Sequence, residues 1–423
     1  MAHSYSAVST FETQSGASTH PPTSSIPLSK PAAATLTTTF LLILLIMAGV
    51  STNTSTTSTT PSLSSAPLST SDHLVKNLPG LPTELDHIAQ FSGFLPITPD
   101  SSSELFYWLI ASEKNGGAFP PESTLPLVIW LNGGPGASSL TGLLLENGPF
   151  RLGLDASLTY NPFGWTQEAH FVAIDNPVGA GFSFTDNDAY VNSLDEMAEQ
   201  LFTGILALLD EHPWLADSPV FITGESYAGK YIPAISHYIY KQNLASDTPL
   251  VNLEGLAIGN GELKPYTAYA STPDYLRNLG LIDDKQQAWA HERLVPCKEQ
   301  VDNEQWIEAF KTCQDVEDDL YAKFVQIPFI YDIRSKTDEF TDLTAVVTSW
   351  INTPEVHAAL NVGDRPWRQS DGQGPSSIGK PVPEHLKGDE MVPIPDSVIV
   401  DLITNFRVMF YSGQYVRRAK NLL

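Results

Sequence analysis

The chain has 423 residues, 42% of them apolar, enough to bury a large core, and this excludes disorder over its whole length. Its 23 Lys and Arg stand against 48 Asp and Glu, a formal charge of -25 that repels phosphate backbones and excludes nucleic acid as a partner. Two cysteines, Cys297 and Cys313, exclude a disulfide-dense scaffold and a four-thiolate metal site; they either close one loop in an oxidising compartment, worth roughly 3 kcal/mol, or stay as buried thiols.

In chain order, residues 1–34 are a Ser/Thr-rich extension. Residues 40–50 read F-L-L-I-L-L-I-M-A-G-V, an uncharged run too short to cross a ~30 Å hydrocarbon core. With small residues at Ala48, Gly49 and Ser51, segment 35–50 is expected to be a secretory signal peptide, or a signal anchor that would tie the chain to a membrane if retained. The Ser/Thr-rich linker 51–72 holds a glycosylation pattern at Asn53-Thr54-Ser55.

Globular composition begins near His73. Short apolar runs at 106–111, 127–131, 171–174, 220–223, 253–258 and 407–411 alternate with helical patterns, which predicts an α/β fold with a mainly parallel sheet flanked by helices. Ser193 and Glu196 form a capping box, and Leu194, Met197, Leu201, Ile205 and Leu208 follow at helical spacing until Pro213. Between 265 and 342 the strand rhythm stops, and polar, acidic, helical sequence containing both cysteines reads as an inserted cap. The core is thereby divided into 73–264 and 343–423.

Val220 to Gly229 is an apolar strand running into Gly224-Glu225-Ser226-Tyr227-Ala228-Gly229 and then a helical pattern. That is a nucleophile elbow, in which small neighbours let a strained serine sit on the turn and the helix N-terminus favours negative charge at a reacting carbonyl. Ala228 stands where the simplest G-x-S-x-G pattern has glycine, and Pro233 is expected to kink the helix early. A second segment, Trp130-Leu-Asn132-Gly133-Gly134-Pro135-Gly136, also follows a strand, where consecutive glycines let backbone N–H groups approach a ligand. It lacks the Lys and Ser/Thr of a phosphate-binding P-loop. A third, Asp175-Asn-Pro177-Val-Gly179-Ala-Gly181-Phe-Ser-Phe184, ends another strand.

These three blocks, together with Glu146-Asn-Gly-Pro-Phe150, resemble the serine carboxypeptidases in type and order, and the vitellogenic-like branch in particular. The resemblance runs from about residue 80 to Gln414. It implies an α/β-hydrolase core with a helical cap, removal of residues from peptide C-termini without metal or cofactor, and a secreted, vacuolar or lysosomal location. It makes Ser226 the nucleophile and gives the oxyanion hole to the N–H groups of Gly134 and Tyr227. Asn132, Gly133 and Glu225 would hold the substrate's terminal carboxylate, with Glu146 behind them. Two carboxyls can face each other only when they share a proton, so an acid optimum is expected.

The resemblance also has a gap. The family's aspartate closes the block Y-S-G-Q-Y-D, whereas here Tyr415 is followed by Val416, and no Asp, Glu or His follows Asn405. A serine without its base is a poor nucleophile, so this chain as given is expected to hydrolyse peptides barely. An altered transcript, a natural non-catalytic binding protein, and a triad rebuilt from His385 or His357 are the open explanations. An acyltransferase on the same scaffold is the runner-up activity. His170 and His212 read as structural, and 407–411 as an edge strand without a partner.

Overall fold

The computed structural model describes residues 73–114, 125–325, 327–329, 331–370 and 381–416. The 40–50 segment and Asn53 lie outside them. Among the described residues no helix is long and apolar enough to cross a membrane.

The predicted strands appear as β2 (Ser103–Ile110), β3 (Leu127–Leu131), β6 (His170–Ile174), β8 (Val220–Glu225), β9 (Leu253–Gly259) and β10 (Arg407–Tyr411). Four further strands escaped the apolar pattern: β1 (Gln90–Pro96), the separate hairpin β4 (Phe150–Leu152) with β5 (Leu158–Tyr160), and two-residue β7 (Phe184–Thr185). β1 carries Ser92, Gly93 and a terminal Pro96, residues suited to an edge and unsuited to a continuous apolar run. The sheet order is β1-β2-β6-β3-β8-β9-β10, with β7 paired to β2. Strands β6, β3, β8, β9 and β10 are parallel, and β1 and β2 join antiparallel. β3 and β6 are buried at every residue, as strands covered on both faces must be.

β10 is the last strand of the sheet order, the edge position read from the sequence, and no strand flanks its outer side among the described residues. It pairs in parallel with β9 from Arg407↔Gly255 to Tyr411↔Gly259, and its residues are half-buried. The 407–411 run is too short to announce which neighbour accepts it.

The helix α1 (Leu194–Glu211) starts where expected, with the Ser193 hydroxyl accepting from the Glu196 N–H. The reciprocal bond of a capping box is displaced by one residue, because the Glu196 carboxylate accepts from the N–H of Asn192. Met197, Leu201, Ile205 and Leu208 pack with Tyr231, Ile232 and Ile235 of α2 (Ala228–Ala245) against alternate residues of the central strands. α2 runs as one continuous helix through Pro233. Pro233 lies in the helix's second turn, and the one lost hydrogen bond is outweighed by the packing of the buried face around it.

The stretch after Lys264 is helical: α3 (Pro265–Asn278), α4 (Asp284–Asp302) and α5 (Trp306–Lys323). A bond joins Cys297 to Cys313 between α4 and α5, and Tyr269, Leu294, Ala309 and Val316 pack around it. α6 (Glu339–Ile351) crosses the boundary drawn at residue 342, because Asp338 caps it by accepting from Thr341 N–H. The short α7 (Pro354–Ala359) and α8 (Pro381–Leu386) lead to α9 (Asp396–Asn405), whose Leu402 joins the main core.

Candidate active site

β8 ends at Glu225 and α2 begins at Ala228, so the chain must reverse within two residues. Ser226 does this with φ +58°, a left-handed conformation that a non-glycine residue adopts at a cost of 1–3 kcal/mol in order of magnitude. The neighbours hold it there: the Ser226 N–H donates to Gly259 O at 3.0 Å, and its carbonyl accepts from the N–H groups of Gly229 (2.9 Å) and Glu262 (3.0 Å). Glycine is required on both sides. A Cβ at Gly224 would lie 2.1 Å from Leu131 O, and one at Gly229 would lie 2.3 Å from Glu262 N.

The second glycine segment packs directly on this elbow. A Cβ at Gly133 would fall 2.4 Å from Tyr227 N. Gly134 has φ +111°, and Gly133 O accepts from Ala137 N–H at 3.1 Å to close the turn. The structure therefore brings Gly133, Gly134, Ser226 and Tyr227 together from positions almost a hundred residues apart. Among the described residues no acceptor pairs with the N–H of Gly134 or Tyr227.

Asn132 is fixed on three sides. Its amide oxygen accepts from Trp130 Nε1 (2.8 Å) and Gly142 N–H (3.1 Å), which leaves the amide nitrogen to donate to Glu225 Oε1 at 3.0 Å. Glu146 comes from the helical turn Leu143–Asn147 after β3 and shares a hydrogen bond with Glu225. Burial, then the charge of Glu225, then that bond hold the Glu146 carboxyl well above the usual range, against an opposing pull from Arg151. Burial also raises Glu225, while bonds from Glu146 and Asn132 counter it. The two carboxyls thus behave as one proton-sharing pair beside the elbow.

Asp175, noted in sequence only as part of a strand-end block, turns out to bind the two glycine segments together. It accepts from Ser138 Oγ (2.5 Å) and from the N–H groups of Ser139 and Phe182 (both 2.9 Å). Ser138 in turn accepts from Trp367 Nε1 at 2.9 Å. The D-N-P-V-G-A-G spacing carried a signal for this, since Gly181 at φ +56° would place a Cβ 1.9 Å from Asp175 Oδ2. Trp367 carried none.

No histidine hydrogen-bonds Ser226 among the described residues. His385 Nδ1 pairs with Asn192 Oδ1 and His357 Nδ1 with Gly363 O, each at 2.8–2.9 Å. His212 meets Tyr107 Oη at 2.8 Å, and His170 Nδ1 accepts from Ser112 N–H at 3.0 Å, structural positions for both. No cluster of three or more metal-ligating side chains occurs among the described residues.

Comparison with known proteins gives one consistent result. The family profile described as serine carboxypeptidase matches residues 79–416. A venom serine carboxypeptidase of Apis mellifera is 32% identical over 339 residues, 78% of this chain and 69% of that protein. The vitellogenic carboxypeptidase of Aedes aegypti is 33% identical over 344 residues, 78% of this chain and 68% of that one. The crystal structure of Kex1Δp, a prohormone-processing carboxypeptidase from Saccharomyces cerevisiae, superposes with a TM-score of 0.69 at 24% identity, covering 82% of this chain and 79% of its own, a likeness of fold. With an elbow serine at the end of a mostly parallel sheet and a profile match over most of its length, the chain belongs to the serine carboxypeptidase family of α/β-hydrolases.

Proposed function

We propose that this protein recognises peptides by their free C-terminus and is built to release the terminal residue through an acyl-enzyme on Ser226. The observation that carries the reading is the Glu146–Glu225 pair tied to Asn132 beside the elbow. A terminal carboxylate meeting this pair needs a proton between them, so binding is strongest in acid and weakens as the pair ionises. Gly134 and Tyr227 N–H groups then face the carbonyl oxygen of the scissile bond, where negative charge develops during attack. An acidic secretory or vacuolar compartment fits both the pair and the bonded Cys297 and Cys313.

No histidine hydrogen-bonds Ser226 among the described residues, so on this reading binding is expected to outlast turnover. Loss of a triad base costs roughly 10⁶ in kcat. Titrating acetyl-Phe-Leu, with a free carboxylate or as its amide, at pH 5 and pH 7.5 tests the binding half. The expected result is preference for the free acid, at least about tenfold tighter at pH 5, with the pH dependence removed in Glu225→Gln. Equal affinity for acid and amide would sink the reading. Turnover of the same dipeptide and labelling of Ser226 by a fluorophosphonate test the catalytic half, with Ser226→Ala as control; brisk release would overturn the slow-turnover assignment.

A further inference from the structure

Three residues on neighbouring strands stand in register at the end of the sheet. Glu225 of β8 pairs with Gly259 of β9, and Gly259 pairs with Tyr411 of β10. In-register residues of parallel strands point to one face, and two strand spacings, about 10 Å, separate the outer two. The middle residue is bare, and the reason is visible: a Cβ at Gly259 would lie 2.5 Å from Tyr411 Cζ and 2.6 Å from its Oη. The phenol therefore lies across β9, over Gly259, with its hydroxyl directed toward β8. Its backbone is fixed there, since Tyr411 O accepts from Asn260 N–H at 2.9 Å.

We propose that Tyr411 is a positioning residue of the carboxyl pair, its hydroxyl reaching over Gly259 to donate a hydrogen bond to the Glu225 side and so setting the pH at which the pair lets go of its shared proton. The inference rests on the reading of that pair as the seat of a peptide terminus, and extends it to a residue far along the chain. Burial and the charges of Glu225 and Glu146 push the Tyr411 phenol well up, so it stays a donor at every pH of interest. Among the described residues, Arg151 from β4 acts on Glu146, Asn132 donates to Glu225, and Tyr411 approaches from β10. Of these, Tyr411 alone requires a glycine on an intervening strand to arrive.

The sign is fixed by the chemistry. A donor to a carboxylate stabilises its ionised form, so removing the hydroxyl makes the pair keep its proton to higher pH. In the full 1–423 chain, Tyr411→Phe should raise the ionisation midpoint of the pair by about one pH unit, the weight of one hydrogen bond to a charged group. The midpoint is read from the carboxylic acid C=O infrared band that Glu146→Gln removes. The pH at which acetyl-Phe-Leu binding falls by half should rise by the same amount. Gly259→Ala, which puts a methyl against the phenol oxygen, should give the same upward shift and serves if Tyr411→Phe does not fold. An unchanged infrared midpoint in a folded variant overturns the proposal. A shifted midpoint in a protein that binds no free-acid dipeptide supports the role of Tyr411 and overturns the carboxypeptidase reading.

Discussion

Asp175 and His212 are both fully buried, at 0% and 1% exposure, and burial moves them in opposite directions along the pH scale. Asp175 holds the glycine segments of the site, and burial raises it to about 6 although three donors oppose the rise. His212 ends α1, hydrogen-bonded to Tyr107 Oη, which also meets His73 Nδ1 at 2.8 Å, with the rings of Phe91 and Trp214 around it. Burial lowers His212 to about 4, and the neighbouring His73 adds to this. One cause, the cost of a charge away from water, makes the acid group tolerate acid and the basic group resist it. Asp175 is thus held most firmly at low pH, while protonation of His212 works against the folded state there.

The comparison breaks first at Gly181. An alanine there meets Asp175 Oδ2 at 1.9 Å on a left-handed backbone, and is expected to cost 3 kcal/mol or more in order of magnitude. Urea unfolding measures it, with Gly280→Ala as reference: φ is +70° there but nothing lies within 4 Å, so only the backbone penalty of about 1–2 kcal/mol remains. Similar losses at both positions would mean that Asp175 does not hold the turn.

The next largest effect is the acid arm. A His lowered from 6.5 to about 4 on folding favours the unfolded state as pH falls through that window, by about 3 kcal/mol at its end. His212→Gln should be less stable than the parent near pH 7, through lost ring packing, yet the gap should close by pH 4. A constant gap between the two melting curves across that range would remove His212 from the acid limit.

The alkaline arm is slightly smaller and has the opposite sign. Asp175 is raised from 3.8 to about 6, so its contribution is complete below pH 3.8 and is lost as pH rises through 6, by somewhat under about 3 kcal/mol. Asp175→Asn cannot ionise, and its stability relative to the parent should improve steadily from pH 4 to pH 7. Parallel curves would show that the three donors, rather than burial, govern this carboxyl.

Much of this protein could be read in order along the chain. Six strands were visible because a strand covered on both faces must be apolar throughout, and α1 because its buried stripe repeats at helical spacing. Ser226, Gly133 and Gly134 were visible because a strained turn and a close backbone approach tolerate few residue types. What the chain order hid were the meetings: Asn132 with Glu225, Ser138 with Asp175 and Trp367, and Tyr411 with the bare Gly259. A hydrogen bond between residues so far apart leaves no local periodicity, and a glycine that makes room for a side chain on the next strand looks like any other. Local backbone chemistry determined where the elbow serine would stand; strand order and register alone decided which carboxyls, amides and hydroxyls would surround it.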